Sequence, residues 1–171
     1  LFQLETPFDT VGYAMAQATD RGVTTILDPA PAPPGGLDRG LLENATYITP
    51  NESEAEALTG VAVTDEESAA QAGARLRELG ARTVIIKAGA GGAYIVEEDG
   101  TRLVAGFRVE VADTTAAGDA FNAGLAAALG DGLDLESAVR FANAVGAMAC
   151  TGMGAQSAMP NRQAVRGLLN A

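Results

Sequence analysis

Hydrophobic positions along this chain alternate between two patterns: short apolar or β-branched runs that suit strands, and i, i+3, i+4, i+7 stripes that suit helices. Residues 1–4 read as a short strand closed by Glu5-Thr6-Pro7. Pro7 at the first helical position and Asp9 in the first turn open a helix with the apolar face Val11, Ala14, Met15 and Ala18, which Gly22 ends. The β-branched residues 23–27 predict the second strand of a βαβ unit. The proline-rich run from Asp28 to Gly36 predicts a rigid loop, since proline removes donors and fixes φ. A helical turn over 37–43 and a brief strand over 47–49 follow.

Asn51 is the expected N-cap of the next helix, with Glu54 completing a capping-box pair. Residues 64–67 open a further helix with the stripe Ala69, Ala72, Leu76 and Leu79, stopped by Gly80. Residues 83–87 read as a buried strand, Val84, Ile85 and Ile86 being apolar on both faces as in a parallel sheet. Asp99-Gly100 between two alternating runs predicts a β-hairpin. Asp134 caps a helix with the small-residue stripe Ala138, Ala142, Val145 and Ala149, and Asn161 caps a last one with Val165, Leu168 and Leu169 inward. The alternation predicts an α/β fold, a doubly wound and mostly parallel sheet flanked by helices with a β-hairpin edge, in one domain over residues 1–171.

Composition agrees with one globular domain: 171 residues, 47% hydrophobic and 19% charged. The net charge of −11, with the basic residues scattered between Arg21 and Arg166, argues against nucleic acid and anionic membranes as partners. Cys150 is alone in an Ala-rich neighbourhood, which predicts a buried thiol in a reducing compartment. With no apolar run of membrane-spanning length and no leader pattern, a cytoplasmic protein is expected. The chain opens without Met on what reads as a strand already under way, so a fragment is expected.

Candidate chemistry gathers at residues 113–121, where hydroxyl and small residues pass directly into the helical pattern Phe121, Leu125, Ala128 and Leu129. First-turn N–H groups and the positive end of the macrodipole make a seat for an anion, and Asp119 stands beside it. Asp119 either complements the dipole, with Thr114 or Thr115 as cap, or serves as a base in phosphoryl transfer. Asn51 and Glu54 are open to the same two readings, helix cap or ligand group. The Gly-rich turn after Lys87 is a tight turn or a place where a nucleotide approaches the sheet's carboxyl edge.

The run Asp113-Thr114-Thr115-Ala116-Ala117-Gly118-Asp119-Ala120-Phe121-Asn122 resembles the signature of the ribokinase (PfkB-type) family of sugar kinases. The resemblance extends from Leu1 to about Leu169, with Gln3-Leu4-Glu5, Asn51-x-x-Glu54 and Gly154-Ala155-Gln156 in the family's order. It implies Asp119 as catalytic base and the N–H groups of Ala116, Ala117 and Gly118 as anion hole. Asn51, Lys87, Gly89, Gly92 and Asn143 would contact ATP, Asn143 near the adenosine, while Glu54 acts on Mg²⁺ through water. Asp113 and the carbonyls of Thr115, Ala149, Gly152 and Gly154 would hold a monovalent cation, K⁺. Glu5 would lie near the sugar, with Asp119. Two positions depart from the family pattern: Lys87 stands where Thr is usual, and Ala158 where Ser is frequent.

The implied reaction is transfer of the ATP γ-phosphoryl group to a primary hydroxyl of a small sugar, ribose foremost, in a protein that is a homodimer when complete. Another sugar or nucleoside kinase of the same type, or a non-catalytic nucleotide-binding module, stays open. The part that grips the sugar in this family has no counterpart here, so these residues alone are expected to be inactive.

Overall fold

The computed structural model describes residues 1–170, which form two compact units: Leu1–Ala88 with Tyr94–Leu103, and Gly89–Ala93 with the chain from Val104 onward. The first carries β1 (Phe2–Gln3), α1 (Phe8–Thr19), β2 (Ile26–Asp28), α2 (Arg39–Glu43), β3 (Tyr47–Ile48), α3 (Glu52–Thr59), α4 (Glu66–Glu78) and β4 (Thr83–Lys87). β5 (Gly92–Glu97) and β6 (Gly100–Ala105) complete a sheet whose spatial order follows chain order, β1-β2-β3-β4-β5-β6. The first four strands are parallel, in registers such as Phe2 with Leu27, Ile26 with Tyr47 and Tyr47 with Thr83. Glu98 and Asp99 alone join β5 to β6, too short a link for a crossover, so this pair is an antiparallel hairpin. The expected α/β sheet with a hairpin edge is therefore present.

Met15, Leu27, Leu42, Ile48, Leu76, Val84 and Ile86 fill the core of this unit, all shut off from solvent. The helix faces that bury them arise from local signals read above. Asn51 and Asp65 each cap a helix through a reciprocal capping box, with Glu54 and Ser68 as the returning side chains. Three details differ from expectation. β2 begins at Ile26 rather than Val23, which is 56% exposed; the Thr25 N–H donates to the Thr46 hydroxyl at 3.1 Å instead of to a strand carbonyl. Leu79 is exposed past the end of α4, and Gly73 completes the buried face by lying close against Val96. Pro7 precedes the first helical residue rather than occupying it.

The second unit consists of α5 (Ala117–Gly130), α6 (Leu135–Ala149) and α7 (Arg162–Leu169) with the loops around them. α5 and α6 approach closely at Gly124, where an added Cβ would lie 2.9 Å from Val145 Cγ2 and 3.2 Å from Ala142 Cα. Ala120, Ala144, Val145, Ala149 and Val165 form its core, with Phe107, Phe141, Leu168 and Leu169 packed on it. The small-residue stripe of α6 is buried as expected, and Asp134 and Asn161 cap their helices. Cys150 is half-buried rather than buried, since it sits just past the end of α6.

Candidate active site

In the first unit, three neighbouring parallel strands end side by side, and their last residues bring polar groups to the carboxyl edge of the sheet. That edge is where ligands settle in open α/β sheets. Asp28 ends β2 and Lys87 ends β4, while Asn51 follows β3 and pairs with Lys87 as an isolated parallel bridge. The Lys87 N–H donates to Pro50 O at 2.8 Å. Its ammonium lies 3.1 Å from Asp28 Oδ1, with the two side chains only 12% and 6% exposed.

Beside this pair, Asn51 Oδ1 accepts the Glu54 N–H at 2.8 Å, and Glu54 Oε2 accepts the Asn51 N–H at 2.7 Å. Burial pushes the Glu54 carboxyl above its ordinary pKa; the Asn51 N–H and the Lys87 charge pull it back, and Asp28 adds to the rise. The capping reading of Asn51 and Glu54 thus holds in full, yet it leaves Glu54 a second oxygen. Among the described residues no three acidic, Cys or His side chains cluster as a metal cage. A lone carboxylate fits Mg²⁺ only as an outer contact, the ion keeping waters and taking phosphate oxygens. Glu5 is exposed just past β1.

The partnership of Lys87 with Asp28 is absent from the sequence reading. Its only signal is an acid and a base ending two strands of one sheet, 59 residues apart. An open groove of about 580 Å³ also lies in this unit, lined by Phe8, Gly12, Pro33, Gly36, Asp38 and Leu41 among others, and none of the expected site residues line it.

In the second unit, no side chain caps α5. The expected caps are not used, because Asp113 Oδ1 draws the Thr115 N–H (2.9 Å) and hydroxyl (2.7 Å) to itself. Ala116 takes the N-cap position at φ +59°, the one non-glycine residue with positive φ among those described. Such a left-handed residue stores local strain, of the order of 1 kcal/mol or more, and marks functional turns. The N–H groups of Ala116, Gly118 and Asp119 have no acceptor among the described residues, whereas that of Ala117 reaches Thr114 O at 3.2 Å. Two of the three amides expected in the anion hole are thereby open, and the third is held in a long turn bond. Asp119 is exposed in the same first turn.

Asp113 also reaches across to the closing loop. Its Oδ2 accepts the Gly154 N–H at 2.9 Å, and Cys150 O accepts the N–H groups of Ala112 (2.8 Å) and Asp113 (3.2 Å). The Thr115 hydroxyl first, then the Thr115 and Gly154 N–H groups, hold the Asp113 carboxyl below its ordinary pKa. These bonds bring Asp113, Thr115, Gly154 and the end of α6 at Ala149 into one patch. Asp113 brings a hard carboxylate to this patch, its oxygens taken by the Thr115 hydroxyl and the Thr115 and Gly154 N–H groups; a monovalent cation there would need carbonyl oxygens of the same loops to complete its shell. Gly152 packs against Ala158, which would lie 3.1 Å from an added Cβ.

The expected nucleotide residues Gly92 and Asn143 converge on one carbonyl. Gly92 has φ +111°, and a Cβ there would fall 2.1 Å from Val104 O. Asn143 is buried on α6, and its Nδ2 donates to Val104 O at 2.9 Å and to Ala105 O at 3.3 Å. It is neither solvent-facing nor wholly at a ligand's disposal; it fastens the end of β6. Gly89, in contrast, is exposed in the turn Gly89–Gly91 at φ +51°, with open space around it.

Comparison with known proteins identifies the family. The profile described as "pfkB family carbohydrate kinase" matches residues 1–162. Ribokinase of Haemophilus influenzae is 45% identical over 163 residues, covering 95% of this chain and 53% of that protein. Among solved structures, Thermotoga maritima ribokinase superposes with a TM-score of 0.86 at 37% identity, covering 99% of this chain and 55% of that one. Arabidopsis thaliana ribokinase, complexed with ribose and ATP, gives 0.88 at 31% identity, with the same coverage of 99% and 55%. The chain spans about half the length of the curated ribokinases of Haemophilus influenzae and Bacillus subtilis that it matches. The α/β fold and the family match over residues 1–162 meet in one conclusion: this chain belongs to the pfkB family of carbohydrate kinases.

Proposed function

We propose that this chain is the nucleotide-binding and catalytic portion of an ATP-dependent sugar kinase that phosphorylates a primary hydroxyl, O5 of ribose foremost. The observation that carries the reading is the uncapped start of α5, where unpartnered amides and the Asp119 carboxylate share one helical turn. Phosphoryl transfer asks little covalent work of a protein; it asks for aligned groups, stabilised charge and a proton acceptor. Asp119 takes the proton of the sugar hydroxyl, the hydroxyl oxygen bonds to the γ-phosphorus, and the bond from that phosphorus to the β–γ bridging oxygen breaks to release ADP. The amides of Ala116, Ala117 and Gly118 hold the developing charge.

In this reading Asn51, Glu54, Gly89, Gly92 and Asn143 contribute to nucleotide binding, Lys87 stands at the same strand end with its ammonium engaged by Asp28, and Glu5 serves the sugar. Mg²⁺ at Glu54 neutralises phosphate charge when bound. Asp113 with Thr115, Ala149, Gly152 and Gly154 holds a K⁺-like ion that steadies the anion hole. Ribose as acceptor is supported by the similarity to ribokinases, one of which is complexed with ribose and ATP.

The test is ADP release by the full-length protein against a panel of ribose, deoxyribose, fructose and nucleosides. Ribose-dependent turnover above all others is the expected result. ATP affinity without turnover on any acceptor would instead identify a nucleotide-binding module.

A further inference from the structure

We propose that Asp28 is a positioning residue that holds the Lys87 ammonium back from the nucleotide phosphates, so that the carboxyl edge of β2, β3 and β4 accepts nucleotide as its divalent-cation complex rather than as the free anion. The inference rests on the kinase reading above and adds a determinant of which ionic form of the substrate is bound.

Among the described residues, Lys87 is the basic side chain whose charge acts on Glu54 of the Asn51–Glu54 capping box. At the end of a parallel strand, an unpaired lysine would be a ready point charge for phosphate. This one is not unpaired. Its Nζ sits 3.1 Å from Asp28 Oδ1, inside a pair with 12% and 6% side-chain exposure. Charges so far from water are weakly screened, and pulling one away strands the other in a poor solvent. Glu54 adds a second carboxylate beside Lys87, and the Asp28 charge acts on it. A free triphosphate meets repulsion there, with the neutralising ammonium already engaged. Its divalent-cation complex carries less negative charge and brings a cation for Glu54.

The readout is the ratio of affinities for ATP measured calorimetrically in excess EDTA and in excess Mg²⁺, on the full-length protein. In the native protein the metal-loaded form binds more tightly by about tenfold or more, the worth of at least one charge-assisted contact. Asp28→Asn releases Lys87, and metal-free ATP should then bind about tenfold more tightly, shrinking the ratio. Asp28→Asn with Lys87→Met should return the ratio to its native value, because the gain comes from the released ammonium. An unchanged ratio in a folded Asp28→Asn protein overturns the proposal.

Where Asp28→Asn does not fold, the double variant, which leaves no stranded charge, decides alone. Native-like affinities in both conditions support a sequestered Lys87. A loss of about tenfold in both shows that Lys87 binds phosphate in the native protein and ends the proposal. Native protein that turns over sugar while its ratio ignores Asp28 sinks this inference only; native protein with no turnover on any acceptor sinks the kinase reading.

Discussion

Asp113 Oδ2 accepts the backbone N–H of Gly154 at 2.9 Å, while its other oxygen holds the hydroxyl and N–H of Thr115. One carboxylate thus fastens the approach to α5 onto the loop after α6, and by occupying Thr115 it leaves the helix start uncapped. These bonds favour the ionised form, so the folded pKa lies below the unfolded one. The stabilisation is therefore present above the ordinary carboxylate pKa and lost as pH falls through the lower folded value. Urea unfolding of the native protein and of Asp113→Asn should differ at neutral pH, and the gap should close below about pH 4. A gap that persists in strong acid would show that Asp113 acts by shape rather than charge.

Asp119→Asn removes the proton acceptor while leaving an exposed side chain of the same size. In the full-length protein kcat should fall by about two to four orders of magnitude, with thermal unfolding little changed. Native turnover in this variant would take Asp119 out of the chemistry.

The shape of the chain around residue 113 was only partly legible beforehand. Local signals were read correctly where a side chain bonds within a few residues: Asn51 with Glu54, Asp134 with Ser137, Asn161 with Ala164. Thr114 and Thr115 misled because cap propensity says nothing about a competitor, and Asp113 two residues back wins the hydroxyl. Asn143 and the Lys87–Asp28 pair were illegible for another reason, their partners lying 39 and 59 residues away. Periodicity assigns a residue to a face; it does not say which carbonyl or carboxylate waits there.

Two glycines separate close approach from mere permissiveness. Gly92→Ala meets both a positive φ and the Val104 carbonyl, and should destabilise by about 2 kcal/mol or more. Gly12 lies inside α1 with nothing within 4 Å of an added Cβ, so Gly12→Ala should stabilise by about 0.5–1 kcal/mol. Paired denaturant titrations of the two variants check both signs.

Asn51 carries a structural and a proposed ligand role that substitutions can pull apart. Asn51→Ala loses the cap of α3 and should cost about 1 kcal/mol, whereas Asn51→Ser keeps a capping oxygen and should cost less. Both should weaken ATP binding in calorimetry if the amide meets phosphate. Full affinity in Asn51→Ser would confine Asn51 to capping.

The spatial order of the six strands repeats their order in the chain. Among the described residues, each strand's mate is its neighbour in the chain. Each of these strands after β1 docks beside the one that precedes it in the chain, and no connection has to pass over a strand to reach its mate. Within these residues the strands therefore leave the ribosome in the order in which the sheet lays them side by side.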